Sequence, residues 1–413
     1  MLPPKAGNDR LRLAYLVSNH PITSQAFVVR EIEALRGEGF DIEVLSIGRP
    51  DRSPEEMSAL EREELKRTFY VRDAGAPGAA AAHLKLIFRR PGRYARALLE
   101  AIRIGGAHLG ELARHLAYFV QAGIIACRLE ERGLRHFHAQ FVSPAGLLAA
   151  KLGPATMSIR VHGSDEFYDA TRYRVAEKVK ACEFVCAVSG FTASQLMRLT
   201  PPEEWPKFEV APIGVNLKEF APAPFRPDPR PFEILLVARL IPAKGHRQLL
   251  EAARKLAEQG RELRVRLVGD GPDRAALEAM ARQGALEGCV VFEGAVNQDR
   301  IREIYRQADL FVLPSFAEGV PAVLMEAMAM GIACVSTKTG AIFELIRDGQ
   351  DGLLVRPGDS VELAESIRRV MDDSALRRQL AEAGRLRVEE CFDLEKNTKL
   401  LAGIFRRRLV KSM

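Results

Sequence analysis

The sequence predicts an α/β protein built of two Rossmann-like, doubly wound parallel-sheet domains facing across a cleft. Three observations carry that expectation. The chain has 413 residues, more than one ordinary domain holds. Apolar runs of strand length alternate with helical patterns in both halves. Between the halves, around Ala211 to Arg230, the texture changes: prolines crowd at 212, 222, 224, 227 and 229, with another at 231, and long apolar runs disappear.

The first half opens with a strand-like run, Leu11 to Val17, a polar loop, a helical pattern from about Ala26 to Glu38 ended by Gly39, and a second strand-like run, Ile42 to Ile47. Strand, helix, strand in fifty residues is a βαβ unit, which favours a parallel sheet. Further strands are predicted at Phe137–Phe141, Met157–Val161 and Phe184–Val188. After the proline-rich stretch the alternation resumes: strand Phe232–Ala238, helix Arg247–Gln259, strand Val265–Val268, helix Asp273–Arg282, strand Val290–Glu293, helix Gln298–Gln307 and strand Leu310–Leu313. The boundaries read as a first domain over 1–215, a linker over 216–231, a second domain over 232–390, and a C-terminal helix over 391–413 that returns to the first domain. Open α/β sheets take ligands outside the carboxyl ends of their strands, so the chemistry should line the cleft.

Composition excludes several classes. Hydrophobic residues at 47% and charged residues at 28% rule out disordered, collagen-like and disulfide-scaffold proteins. The six cysteines, at 127, 182, 186, 289, 334 and 391, form no CxxC pair and have no histidine at ligand spacing, so they read as buried thiols in a reducing compartment. The N-terminus lacks the apolar core of a secretory signal and no segment is apolar enough to span a bilayer. A cytoplasmic location follows as an expectation. The net charge of +6 comes from 60 basic and 54 acidic residues, a mild excess that no nucleic-acid motif accompanies.

The most informative stretch runs from Pro314 to Ala329 and contains Glu318, Val320, Pro321, Val323, Leu324 and Glu326. Pro321 suits the first turn of a helix, which puts Glu318 in the loop before it and Glu326 within it. Free amides near Val323 and Leu324 would form an anion site, and the two carboxylates can accept hydrogen bonds from sugar hydroxyls. A capped surface helix with acids near its positive end fits the same residues. Strand Phe232–Ala238 leads into Arg239 and Lys244, two cations able to neutralise a diphosphate on a departing nucleotide; solvated loop charges are the plain alternative. The turn Gly269-Asp270-Gly271-Pro272 is no dinucleotide fingerprint, because G-x-G-x-x-G is absent.

In the first half, Val161-His162-Gly163-Ser164-Asp165 ends a strand. Glycine lets such a loop approach a ligand, His162 can donate to a hydroxyl or phosphate, and Asp165 can orient the loop or cap a helix. Structural hydrogen bonding is the alternative for the histidine. Ser24 and Arg30, after the first strand, read equally well as ligand contacts or as capping and solvated groups. Between Ala81 and Val120, Lys85, Arg89, Arg90, Arg93, Arg96, Arg103 and Arg114 face only Glu100 and Glu111, with Leu84, Ile87, Phe88, Tyr94, Leu98, Leu99 and Ile102 among them. Helices of that pattern either pack on their own domain or lie on an anionic leaflet.

Taken together, Arg239 to Gly245, Val268 to Pro272, Phe292 to Val296 and the Glu-x7-Glu element from Glu318 to Glu326 resemble the retaining glycosyltransferases of family 4, which have the GT-B fold. The likeness covers nearly the whole chain. It implies that Arg239 and Lys244 hold the donor diphosphate, that Glu318 contacts hydroxyls of the transferred sugar, that Glu326 binds the ribose diol, and that Gly294 to Val296 flank the base. His162 is similar to the histidine of the family's His-Gly-x-Asp segment, and His138 lies in a segment that also resembles the family's. The first loop departs from the family's common Gly-Gly pair; its Pro21-x-x-Ser24-x-x-Phe27 form is similar to the exopolysaccharide and colanic-acid-type subgroup. The resemblance implies a UDP- or GDP-linked sugar as donor, a saccharide acceptor that can be lipid-linked, work at the cytoplasmic face of the inner membrane, and no cofactor or metal. The chain has no Asp-x-Asp, the pattern that would suggest a metal bridging the phosphates. A 2-epimerase or glycogen-type synthase on the same fold, or a catalytically silent sugar-nucleotide-binding scaffold, are the competing readings.

Overall fold

The computed structural model describes residues 11–140, 144–163 and 174–410. The chain divides into two compact units: 1–188 with 192–211 and 398–413, and 212–397 with 189–191.

The first unit is built on a seven-stranded sheet of β1 (Arg12–Asn19), β2 (Asp41–Gly48), β3 (Phe69–Tyr70), β4 (His136–Gln140), β5 (Thr156–Val161), β6 (Phe184–Ala187) and β7 (Phe208–Val210). All pairs are parallel, in the order β3-β2-β1-β4-β5-β6-β7. Side chains alternate between the two faces, as they must in a strand. Leu13, Tyr15 and Val17 of β1 pack with Val28, Ile32 and Leu35 of α1 (Ala26–Gly37) and with Leu401, Ile404 and Phe405 of the last helix, Leu394–Val410. Ala14 and Leu16 face the other core, with residues of α3 (Gly75–Arg89), α4 (Pro91–Gly105) and α5 (Leu109–Glu131); α2 (Ala59–Arg67) adds little to either, its buried residues being Glu61 and Glu64.

The second unit has a six-stranded sheet: β8 (Phe232–Val237), β9 (Leu263–Val268), β10 (Val290–Gly294), β11 (Leu310–Leu313), β12 (Ala333–Thr337) and β13 (Leu353–Val355). It is parallel throughout, in the order β10-β9-β8-β11-β12-β13. The predicted strands and helices recur with ends shifted by a residue or two, the usual uncertainty of fraying termini.

The proline-rich stretch is not a free tether. It clusters with the second unit from Pro212 onward, because its polar groups and aromatics find partners there. Arg226 grips Asp309 through both carboxylate oxygens, at 3.0 and 2.7 Å. The buried Arg377 donates to the carbonyls of Arg226 and Pro227 and lies 5.0 Å over the Phe225 ring.

Candidate functional site

In a doubly wound sheet, ligand loops gather where the strand order reverses. In the second unit that place is between β8 and β11, so the loops after these strands flank it. The β8 loop carries Arg239, which is exposed, and closes in a 3-10 turn, Pro242–Lys244. Gly245 follows at φ +70°, and a Cβ there would collide with the carbonyl oxygen of Pro314 at the end of β11. Glycine is required by both conformation and space. The amide of Phe316 completes the seam by donating to the carbonyl of Ala243 at 2.9 Å.

Glu318 is held at the centre of this seam. Only 8% exposed, it accepts on Oε1 from the Lys244 ammonium at 2.7 Å and from the Ser315 hydroxyl at 2.7 Å. Its backbone is pressed by the loop after β12, where Gly340, at φ +55°, leaves no room for a Cβ against the Glu318 carbonyl. Thr337, the last residue of β12, and Thr339, in that loop, donate to the carbonyls of Ser315 and Phe316, at 2.6 and 2.9 Å. An ammonium has three N–H donors, so one spent on Glu318 leaves Lys244 able to bind phosphate oxygens. Among the described residues Arg239 forms no ion pair.

Glu326 lies within the helix Ala322–Ala329, buried, with Oε2 at 3.2 Å from the hydroxyl of Tyr305. That hydroxyl is also 3.1 Å from the Val323 carbonyl and shares its one hydrogen between the two. Pro321 stands just before the helix rather than in its first turn. One predicted donor is corrected here: Leu324 is fully buried and its N–H donates to the carbonyl of Pro321 at 3.1 Å, spent inside the first turn. Val320 is buried beside it. Gly294 ends β10 at φ +73°, its carbonyl accepting from Gly269 at 2.8 Å, and Val296 follows, half-buried.

In the first unit the order reverses between β1 and β4. His162 stands directly after β5, half-buried, with its ring 5.1 Å from that of Phe27 and Nε2 3.2 Å from Oε1 of Gln140. Burial first, and the charge of Arg160 second, hold its pKa well below the ordinary histidine value. Arg30 is buried on α1. Ser24 belongs to the short turn Thr23–Gln25, and Asp165 lies outside the described residues. His138 is no surface group: it is fully buried, 4.9 Å from the Phe405 ring, with Nδ1 2.7 Å from the Ser158 hydroxyl. All six cysteines are free thiols, but Cys289 and Cys391 are only half-buried, correcting the expectation of six buried ones; they lie at the start of a half-buried edge strand and at a helix end.

The basic stretch falls on α3, α4 and α5. These helices bury Leu86, Ala97, Ala101, Ile104 and Phe119. Other apolar side chains stay outside: Phe88 is 82% exposed, Leu109 81% and Leu99 65%. No helix among the described residues is long and apolar enough to cross a membrane.

The sequence reading missed Ser315, Tyr305 and Gly340 in the second unit and Glu31, Gln140 and Arg160 in the first. For Arg160 a signal existed. A cation in a buried strand demands a buried partner, and Glu31, on the buried face of α1, is that partner at 2.9 Å.

Residues 218–387 match the family described as glycosyl transferases group 1. Over that segment the chain is similar to the group 1 glycosyltransferases. It is 28% identical over 373 residues to WcaL of Escherichia coli K12, a glycosyltransferase assigned to colanic acid biosynthesis, covering 86% of this chain and 90% of that one. It is 27% identical to the amylovoran biosynthesis glycosyltransferase AmsK of Erwinia amylovora, across 96% of this chain and 100% of the relative. Among solved structures, the Anabaena protein HepE in complex with UDP-glucose superposes with a TM-score of 0.70 at 18% identity, over 96% of this chain and all of the other. That likeness establishes the GT-B fold.

Proposed function

We propose that this glycosyltransferase moves a hexosyl group, with retention of anomeric configuration, from a nucleoside-diphosphate sugar to a saccharide acceptor in the assembly of an exported polysaccharide. The observation that carries the proposal is the cluster of Lys244, Glu318 and Ser315 at the switch point of the second sheet, with Arg239 on the same loop as Lys244. Cations fixed at that position stabilise the diphosphate as the bond from the sugar's C1 to the phosphate oxygen breaks. The acceptor hydroxyl forms the new bond to C1 on the same face, and its proton passes to the departing phosphate oxygen. Glu318 and Glu326 take the hydroxyls of the sugar and of the ribose, and no metal is required. The names of WcaL, AmsK and the UDP-glucose complex support the class of donor and product.

The acceptor is carried on a lipid, in this reading, and the exposed Phe88, Leu99 and Leu109 with the cations of α3 to α5 rest on the anionic cytoplasmic leaflet. Calorimetry against UDP, GDP, ADP and their sugar conjugates, with and without EDTA, tests the donor site. Binding of one nucleotide, unaffected by EDTA and lost in Arg239→Ala, supports the proposal. Binding without transfer to any lipid-linked or soluble saccharide favours a scaffold, and no binding at all removes the proposal.

A further inference from the structure

Beneath His162 runs a chain of buried polar groups that the roles above do not use. Glu31, on α1, has its Oε2 2.9 Å from a guanidinium nitrogen of Arg160. Its Oε1 accepts from the Tyr15 hydroxyl at 3.0 Å and from the side-chain amide nitrogen of Gln140 at 2.8 Å. Gln140 ends β4, in register with Arg160 of β5, and its Oε1 faces Nε2 of His162 at 3.2 Å. A second guanidinium nitrogen of Arg160 donates to the carbonyl of Ala211 at 2.8 Å. Tyr15, Glu31, Gln140 and Arg160 are all buried.

The donor and acceptor roles in this chain are forced. A carboxylate paired with arginine only accepts, so the amide of Gln140 must turn its NH2 toward Glu31. Its oxygen then faces His162, and an amide oxygen only accepts. Nε2 of His162 must therefore carry a hydrogen, and in a neutral ring Nδ1 is then the acceptor. The ring stays neutral because burial and the neighbouring Arg160 both oppose a second proton.

We infer that Glu31 and Gln140 are positioning residues that lock His162 in its Nε2–H tautomer, which makes Nδ1 the acceptor of the ring. The inference rests on the proposed sugar transfer for its consequence, though not for the tautomer itself. A hydroxyl is equally able to donate and accept, and a fixed tautomer chooses which it does. Sugar orientation near His162 would then be set two residues away from the ring.

The test separates the two levels. Imidazole 15N NMR of the full chain labelled at histidine, with His162→Asn to assign the signal, needs no substrate. Between about pH 6 and 8 the wild-type ring should show a protonated Nε2, a lone-pair Nδ1 and no titration. In Gln140→Leu, which leaves the Glu31–Arg160 pair in place, the two nitrogens should average between tautomers. The same variant should lose at least roughly tenfold in kcat for transfer while its donor Kd stays within about twofold. Glu31→Gln should act in the same direction. An Nδ1–H signal or a titrating ring in the wild type overturns the tautomer. Unchanged ring signals and unchanged kcat in Gln140→Leu overturn the positioning role. Absence of transfer by the wild type with the Nε2–H signal intact counts against the proposed function alone.

Discussion

The two sheets solve the same problem with opposite chemistry. Each reverses strand order at its centre, and each ties the elements flanking that point together with a polar contact. In the second unit the tie is Lys244 to Glu318, two opposite charges near the mouth of the loops, with the ammonium about a quarter exposed. In the first it is Glu31 to Gln140, buried and leading to a neutral imidazole. Charges kept near water suit a diphosphate, whose own charge must be met. A buried relay that ends in a neutral imidazole suits hydroxyl groups, which are discriminated by donor and acceptor direction rather than by charge.

That contrast can be broken most forcefully through stability. Phe405 is fully buried in the first unit, with rings of Tyr15, Phe40, His138 and Phe184 within 6.5 Å. Phe405→Ala should cost about 3–5 kcal/mol; chemical denaturation followed by hydrogen exchange should place that loss in the first unit, with the second retaining its protection. Lys244→Ala should instead leave the melting temperature within a few degrees and reduce kcat/KM for transfer about 100- to 1000-fold, the range for losing one preorganised electrostatic group.

Acid sharpens the comparison further. Burial lowers the pKa of His20 to about 4 and of His136 to about 3, and pushes His138 and His162 down as well; all four belong to the first unit. In the second unit His246 is the histidine so affected, at about 4. The unfolded chain binds protons below about pH 6.5 while these folded rings do not. The stability they support is complete above that pH and falls by about 1.4 kcal/mol per pH unit for each such ring as the pH drops. Regional hydrogen exchange from pH 7 to 4.5 should show the first unit loosening before the second. A second unit that opened first would sink this reading. The smallest effect should belong to the outer helices: Phe88→Ser should weaken flotation with phosphatidylglycerol vesicles by roughly tenfold or less, without altering transfer to a water-soluble acceptor.

How much was legible in the sequence follows from the same contrast. The second site could be read because its groups lie on loops directly after strands, where residue type and spacing alone point to chemistry. Arg239, Lys244 and Glu318 were singled out that way, and Glu326 by its place in the helix that follows. What could not be read is which groups tertiary structure brings together: Ser315 looked like any serine in a loop, and Gly340 lies 22 positions from the Glu318 carbonyl that forbids it a side chain. Leu324 was misjudged for a local reason, since a helix's first turn can use its own amides. In the first unit the relay joins residues 31, 140, 160 and 162 across three elements, and no periodicity in one sequence links them. The strands that were predicted came within two residues, because each is an apolar run bounded by loop residues; β3, β7 and β13, only two or three residues long, and β12 were not predicted.

The first unit is discontinuous: residues from Thr398 onward belong to it, after the whole of the second unit has intervened. On the ribosome its aromatic core therefore waits for its last member. At roughly 5–20 residues per second, the stretch from Ala211 to Phe405 takes on the order of 10–40 s to appear. For that interval the surface around Tyr15, Phe40 and Phe184 has no Phe405 to cover it. The nascent protein should be most in need of a chaperone during that interval, and a stop codon ahead of Phe405 should leave this aromatic core uncovered for good.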